Sequence, residues 1–170
     1  MRELSPGMND EKPDLAPLVL SARHMVGQGR TEDALRAYAE ILQIRPDYAL
    51  AYADRGTIHA MRKEFDLALA DFERSFALGY QDAAAFSSAA TVYMQRKDYA
   101  RSLALFARAL ELAPAYAFAY YNRSRVFHEI GQYESAVADL ERCLALQPDE
   151  AFRKSIQERL DMVRSLISPT

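Results

Sequence analysis

The sequence has no tryptophan, one cysteine, six glycines and seven prolines in 170 residues. A single thiol cannot close an internal disulfide, which excludes a disulfide-stapled scaffold and fits a reducing cytoplasm. So few glycines and prolines exclude a low-complexity chain. No apolar run approaches the roughly 20 residues that cross a bilayer, and the polar stretch before Leu15 has no signal-peptide core. Basic excess is missing as well. With 21 Lys and Arg against 24 Asp and Glu, the net charge is −3, the wrong sign for a nucleic-acid surface. What is abundant is alanine, at 29 residues. Alanine is the strongest helix former and lets helices approach closely, so an all-α protein is expected.

The chain repeats itself. "LQIRPDYALAYADRG", "FALGYQDAAAFSSAA" and "LELAPAYAFAYYNRS" align without gaps, and their markers Pro46, Tyr80, Pro114 and Pro148 are each 34 residues apart. Four units follow, 15–48, 49–82, 83–116 and 117–150, preceded by a flexible tail at 1–14. Large and small residues recur by column. The fourth place is Leu18, Tyr52, Phe86 and Tyr120, and the eighth is Ala22, Gly56, Ala90 and Ser124. Gly29, Lys63–Glu64, Lys97–Asp98 and Gly131 mark a turn within each unit, and the prolines end the second helix. Beyond the units, Phe152, Ile156, Leu160, Val163 and Ile167 form one apolar helical stripe on a closing segment, 151–170. A period of this length predicts a stacked α-solenoid of helix–turn–helix units.

These columns resemble the tetratricopeptide repeat (TPR) pattern, best in Tyr52…Gly56…Ala68…Phe72 and Tyr120…Phe127…Ala136…Pro148. The resemblance covers 15–150, and the closing helix matches the solvating helix that ends such arrays. It departs from the pattern in lacking Trp at the fourth place, in His59 at the eleventh and in Tyr80 for proline. The resemblance implies a right-handed superhelix with first helices along a concave groove.

Two units carry Arg at the seventh place together with Asp at the twenty-third: Arg55 with Asp71, and Arg123 with Asp139. The charges come and go together, so each pair is expected to join the two helices of its unit; an anion site on the two arginines is the alternative. His24, His59 and His128 have no second ligand at helical spacing, so no metal site is expected. Cys143 takes a small-residue column and reads as an inert packing residue. No phosphate loop, nucleophile elbow or metalloprotease pattern appears, and neither enzyme activity nor a cofactor is expected.

Carrying over the family's groove positions gives Leu50, Thr57 and Met61 in the second unit and Thr91 and Met94 in the third. The fourth gives Phe118, Tyr121, Arg125 and His128, flanked by Asn122. Leu50, Met61 and Met94 are expected to form an apolar floor, with Arg23 the only charge in the first three units. The aromatic and basic fourth unit is the expected specificity end, because aromatic and Arg side chains dominate binding hot spots. Tyr121, Arg125 and Glu129 are four apart in turn, so Glu129 could hold the guanidinium. The Lys–Asn–Arg clamp with which some relatives capture acidic chaperone tails does not match the early units. The expected function is a cytoplasmic, monomeric, non-enzymatic adaptor that binds a peptide or amphipathic helix of another protein, with a homodimer as the alternative assembly. The alternative function is a bacterial type III secretion-like chaperone holding a hydrophobic client.

Overall fold

The computed structural model describes residues 13–167; most of the expected N-terminal tail and the last three residues lie outside them. Nine helices and no strand occur among the described residues. They are α1 (Ala16–Gly27), α2 (Thr31–Ile44), α3 (Ala49–Met61), α4 (Phe65–Ala77), α5 (Ala83–Gln95), α6 (Tyr99–Leu112), α7 (Ala117–Glu129), α8 (Tyr133–Ala145) and α9 (Glu150–Ile167). The first eight pair as four antiparallel hairpins, and α9 closes the array against α8.

Each hairpin turns in the same way. The first helix runs into a residue of positive φ: Gly29 at 76°, Lys63 at 62°, Lys97 at 61° and Gly131 at 77°. The next amide then reaches back five residues, Arg30 to Met25, Glu64 to His59, Asp98 to Tyr93 and Gln132 to Phe127, at 2.8 to 2.9 Å. That contact satisfies a carbonyl the ending helix would otherwise leave unpaired. Between hairpins the prolines at 46 and 114 follow α2 and α6 closely. Where Tyr80 replaces proline, Gly79 takes φ 85° and α4 ends by the same reach-back, Tyr80 amide to Ser75 carbonyl at 3.2 Å.

Small residues set how close the paired helices come. Ala22, Ala34, Ala68, Ala90, Ser102 and Ala136 are fully buried at the hairpin contacts. Gly56 is the tightest point, where a β-carbon would sit 3.1 Å from the Ala68 carbonyl oxygen and 3.2 Å from the Asp71 β-carbon. Around these contacts lie Tyr38, Phe72, Phe106 and Leu140, the large residues of one column. The expected closing stripe is in place: Ile156, Leu160 and Val163 are buried with Ala136, Leu140 and Cys143, Phe152 is partly buried, and Ile167 faces out.

The first helices touch in succession, α1 with α3, α3 with α5 and α5 with α7, whereas the second helices keep apart. The stack therefore curves with its first helices inside and its second helices outside.

Two stability outcomes follow from this packing. Leu160→Ala is expected to cost about 2–5 kcal/mol, since the closing helix cannot collapse into the space left. Leu20→Ala, at a 70 % exposed position on α1, is expected to leave melting nearly unchanged; equal effects at both sites would remove α9 from the core. Lys63→Gly and Lys97→Gly should each raise stability by about 1 kcal/mol in chemical denaturation, because glycine relieves the left-handed backbone that lysine bears there.

Candidate functional site

The inner surface is built from the outward turns of α1, α3, α5 and α7, and α9 extends it by one helix. At its N-terminal half is a cavity of about 380 Å³ lined by Arg23, Ala53, Asp54, Thr57, Tyr80, Asp82, Ala84, Ala85 and Ser88. Arg23 holds Asp54 through two bonds, Nε at 2.7 Å and Nη2 at 3.0 Å, so α1 and α3 are tied across the groove. The buried Tyr38 hydroxyl also donates to Asp54, at 2.9 Å. Burial, and then the Asp54 carboxylate, push the Tyr38 phenol well above its ordinary value, so it stays a donor. Asp82 caps α5 by accepting from the Ala85 amide at 2.8 Å. Burial, with the carboxylates of Asp82 and Asp54 nearby, also raises the Tyr80 phenol.

This surface is smaller and more polar than the apolar floor expected from sequence. Leu50 leans into the first-unit core, alongside Leu15, Val19 and Tyr38. Met94 is only 7 % exposed and packs with Phe106, Ala119 and Val126, so it is a core residue and not part of the floor. The core it joins includes Ala119 and Val126 of α7, the next unit's first helix. Only Met61, at 62 % exposure, stands free at the end of α3. Thr57 and Thr91 turn their hydroxyls onto their own helices, donating to Ala53 and Ser87 carbonyls at 3.0 and 2.9 Å. Asp54, Tyr80, Asp82 and Ser88 were missed. The first is adjacent to a groove place, and Tyr80 was visible as the one departure from proline.

The C-terminal half is different in kind. Phe118 is 56 % exposed and stacks on Phe152 of α9, with ring centres 4.6 Å apart. Tyr121 meets the same ring edge-on at 5.2 Å. Arg159 of α9 lies over the Tyr121 ring at 5.5 Å and donates to its hydroxyl at 3.4 Å. A second hollow, about 290 Å³, is lined there by Tyr121, Ser155, Glu158, Arg159 and Met162. The closing helix is thus part of the surface, which the four-unit reading of the groove leaves out. Arg125 donates to Asn122 at 3.3 Å, and not to Glu129 as its spacing had suggested. His128 packs against Tyr133 of α8 with ring centres 5.8 Å apart, and stands 3.9 Å from Glu129.

Outside the groove, an apolar cleft of about 250 Å³ opens between α4 and α6 over α5, lined chiefly by Leu69, Phe72, Phe76, Tyr93 and Leu105. Sequence columns give no sign of it, because it exists only where second helices splay apart.

The paired charges lie as their shared occurrence predicts. Arg55 binds Asp71 through both nitrogens at 2.7 Å, and Arg123 binds Asp139 at 2.8 and 2.7 Å. Both guanidiniums are therefore engaged by their own hairpin through Nε and Nη2, which favours the structural pairing over an anion site. Tyr52 and Tyr120 rings flank the two arginines at 5.5 and 5.6 Å. The buried Cys143 thiol, pushed up to about 11 by desolvation and by Asp139, stays protonated and unreactive at neutral pH. Among the described residues no three His, Cys, Asp or Glu side chains gather as a metal site would require. No helix there is long and apolar enough to cross a membrane.

Two family models, each described as tetratricopeptide repeat, match residues 20–87 and 90–161. The chain belongs to the tetratricopeptide repeat family. Solved TPR structures superpose on it. MamA (41-end) from Desulfovibrio magneticus RS-1 is 21 % identical with a TM-score of 0.77, covering 89 % of this chain and 85 % of its own. PilF from Pseudomonas aeruginosa is 18 % identical with a TM-score of 0.77, covering 86 % and 66 %. The first TPR domain of Spaghetti, solved bound to an HSP90 peptide, is 21 % identical with a TM-score of 0.64, covering 71 % and 94 %. At such identities the likeness is one of fold. No curated protein matches the sequence. TPR arrays serve as scaffolds for protein–protein interaction, and that general role applies to this chain.

A double-mutant cycle tests the TPR hairpin pairs. Arg55→Ala and Asp71→Ala are each expected to destabilise, with a coupling of about 1–3 kcal/mol between them, because losing one partner strands the other charge in a part-buried site. Strictly additive losses in denaturant melts would mean that the pair is not an energetic unit.

Proposed function

We propose that this TPR chain is a non-catalytic, cytoplasmic adaptor that holds a segment of another protein across the inner face of its first helices. The observation that carries the reading is the shape and chemistry of that face. Ala53, Ala84, Ala85 and Ser88 leave room for a backbone to lie close, while Asp54, Tyr80 and Asp82 offer polar partners beside it. At the other end the exposed Phe118 and the Phe152 ring give a partner's side chain an aromatic surface. Short side chains with fixed polar neighbours suit an ordered peptide more than a loosely held hydrophobic client, which needs a continuous apolar surface. That favours an adaptor over a type III secretion-like chaperone.

The test uses a photo-reactive p-benzoylphenylalanine at Thr57 or Phe118 on the inner face, and at Leu67, exposed on α4, as the outer control. Irradiation of the producing cells should attach one partner protein from the inner positions and none from Leu67. Arg125→Ala should weaken that partner's binding by about 1–3 kcal/mol in calorimetry without lowering the melting temperature. Adducts only from Leu67 would move the binding site to the outer surface.

A further inference from the structure

Most arginines among the described residues bind a carboxylate of the chain. Arg23 has Asp54, Arg55 has Asp71, Arg62 has Glu32 and Glu64, Arg96 has Asp66, and Arg123 has Asp139. Arg125 and Arg159 are among the few that form no ion pair with a described residue. Both occupy the ninth place of a first helix, and the column reads Arg23, Thr57, Thr91, Arg125, Arg159 at steps of 34. The register explains why the three arginines differ. Arg23 meets Asp54, which lies 31 residues further along the chain. The same step from Arg125 reaches Ile156, an apolar side chain that is fully buried in the α8–α9 core. The helix that follows Arg23 supplies a carboxylate, and the helix that follows Arg125 withholds one.

Each of these two guanidiniums is nevertheless held. Arg125 is steadied by Asn122 at 3.3 Å, and Arg159 by the Tyr121 hydroxyl at 3.4 Å and the Tyr121 ring. Asn122 and Tyr121 are neutral, so the positive charge of both remains uncompensated by them. Glu158 lines the same hollow as Arg159 but makes no ion pair with it, and the exposed Glu129 stands 3.9 Å from His128 and forms no bond to Arg125. Around the Tyr121–Arg159 contact lie Phe152, on which Phe118 stacks, and Met162, and these present apolar surface.

We propose that the surface between α7 and α9 takes an acidic segment of the partner protein, with side-chain carboxylates on Arg125 and Arg159 and an apolar side chain on the Phe118–Phe152 stack. This rests on the inner-face reading above and adds the chemistry of its ligand. Side-chain carboxylates match better than one chain terminus. The two guanidiniums stand on successive helices, each tethered by its own neighbour, so two acids spaced along the ligand are called for. Guanidinium–carboxylate bonds are strong when both partners are held and partly shielded from water, which is the state of these two.

The probe is a phage-displayed library of random twelve-residue peptides without free C-termini, panned on the full chain. Selected peptides should be enriched in paired Asp or Glu around one aromatic or aliphatic residue. Their synthetic versions should lose at least tenfold in affinity when the acids become Asn or Gln, and should weaken as salt rises. The Arg125→Gln, Arg159→Gln double variant should no longer select acidic peptides, while Arg125→Lys, Arg159→Lys should still do so. Melting curves establish that the variants fold; should the double variant unfold, Arg159→Gln alone is panned, since Arg159 lies outside the core. Selection without acidic enrichment overturns the proposal, as does acidic enrichment that survives loss of both guanidiniums. Peptides that lack acids yet are displaced by Thr57→Arg would leave the inner-face reading standing and this one refuted.

Discussion

A single helical hairpin of this sequence cannot cover its own apolar face, and everything else in the structure answers that constraint. The two helices of a unit meet on small residues such as Ala22, Gly56, Ala90 and Ser124, which is close enough to exclude water between them. That same closeness leaves the larger side chains of the unit pointing toward the next hairpin. Phe76 of α4, for example, stacks on Phe86 of α5 with ring centres 4.3 Å apart. Stability is then a sum of hairpins and of the interfaces between neighbours, with no contact between distant units. The last interface needs a partner that exposes polar residues on its far side. The helix α9 meets that need with Ile156, Leu160 and Val163 inward and Lys154, Glu158 and Asp161 outward.

Charge is fitted into this scheme by register. A part-buried arginine is costly unless a carboxylate lies at a fixed offset, because desolvation in a poorly screened site exceeds what an imperfect pair returns. Within a hairpin the offset is 16 residues, as in Arg55–Asp71 and Arg123–Asp139. Across neighbouring first helices it is 31, as in Arg23–Asp54. The two offsets do different things. The first locks a unit internally. The second runs along the inner surface, so whether it is filled decides what that surface offers to solvent.

Repetition made the first kind legible in the sequence and hid the second. Arg and Asp rise and fall together in two of four units, and that covariation within one chain is enough to pair them. Arg23–Asp54 occurs once, so no column could reveal it. The turns were legible for a related reason: Lys63 and Lys97 stand where Gly29 and Gly131 do, and the backbone takes the same left-handed turn at all four. Met94 was misread because groove places describe a unit in isolation. It is buried in a core shared with Ala119 and Val126 of the following unit. Phe118 and Tyr121 are aromatic residues of the fourth unit, but their packing on Phe152 and Arg159 belongs to a helix outside the four units.

The inner surface therefore has two halves with opposite demands. In the first, Arg23, Asp54 and Tyr38 satisfy one another, and a ligand gains little by competing for groups already bonded. What it gains there is proximity, since Ala53, Ala84 and Ala85 let it approach without clash. In the second half the aromatic stack is preassembled and the guanidiniums are already oriented by Asn122 and Tyr121. Side chains held before binding lose less freedom when a partner arrives, so each contact retains more of its strength as affinity. Under the proposed reading, affinity and selectivity concentrate where α7 meets α9. The closing helix that completes the core through Ile156, Leu160 and Val163 also completes the inner surface through Phe152 and Arg159, so one helix carries both.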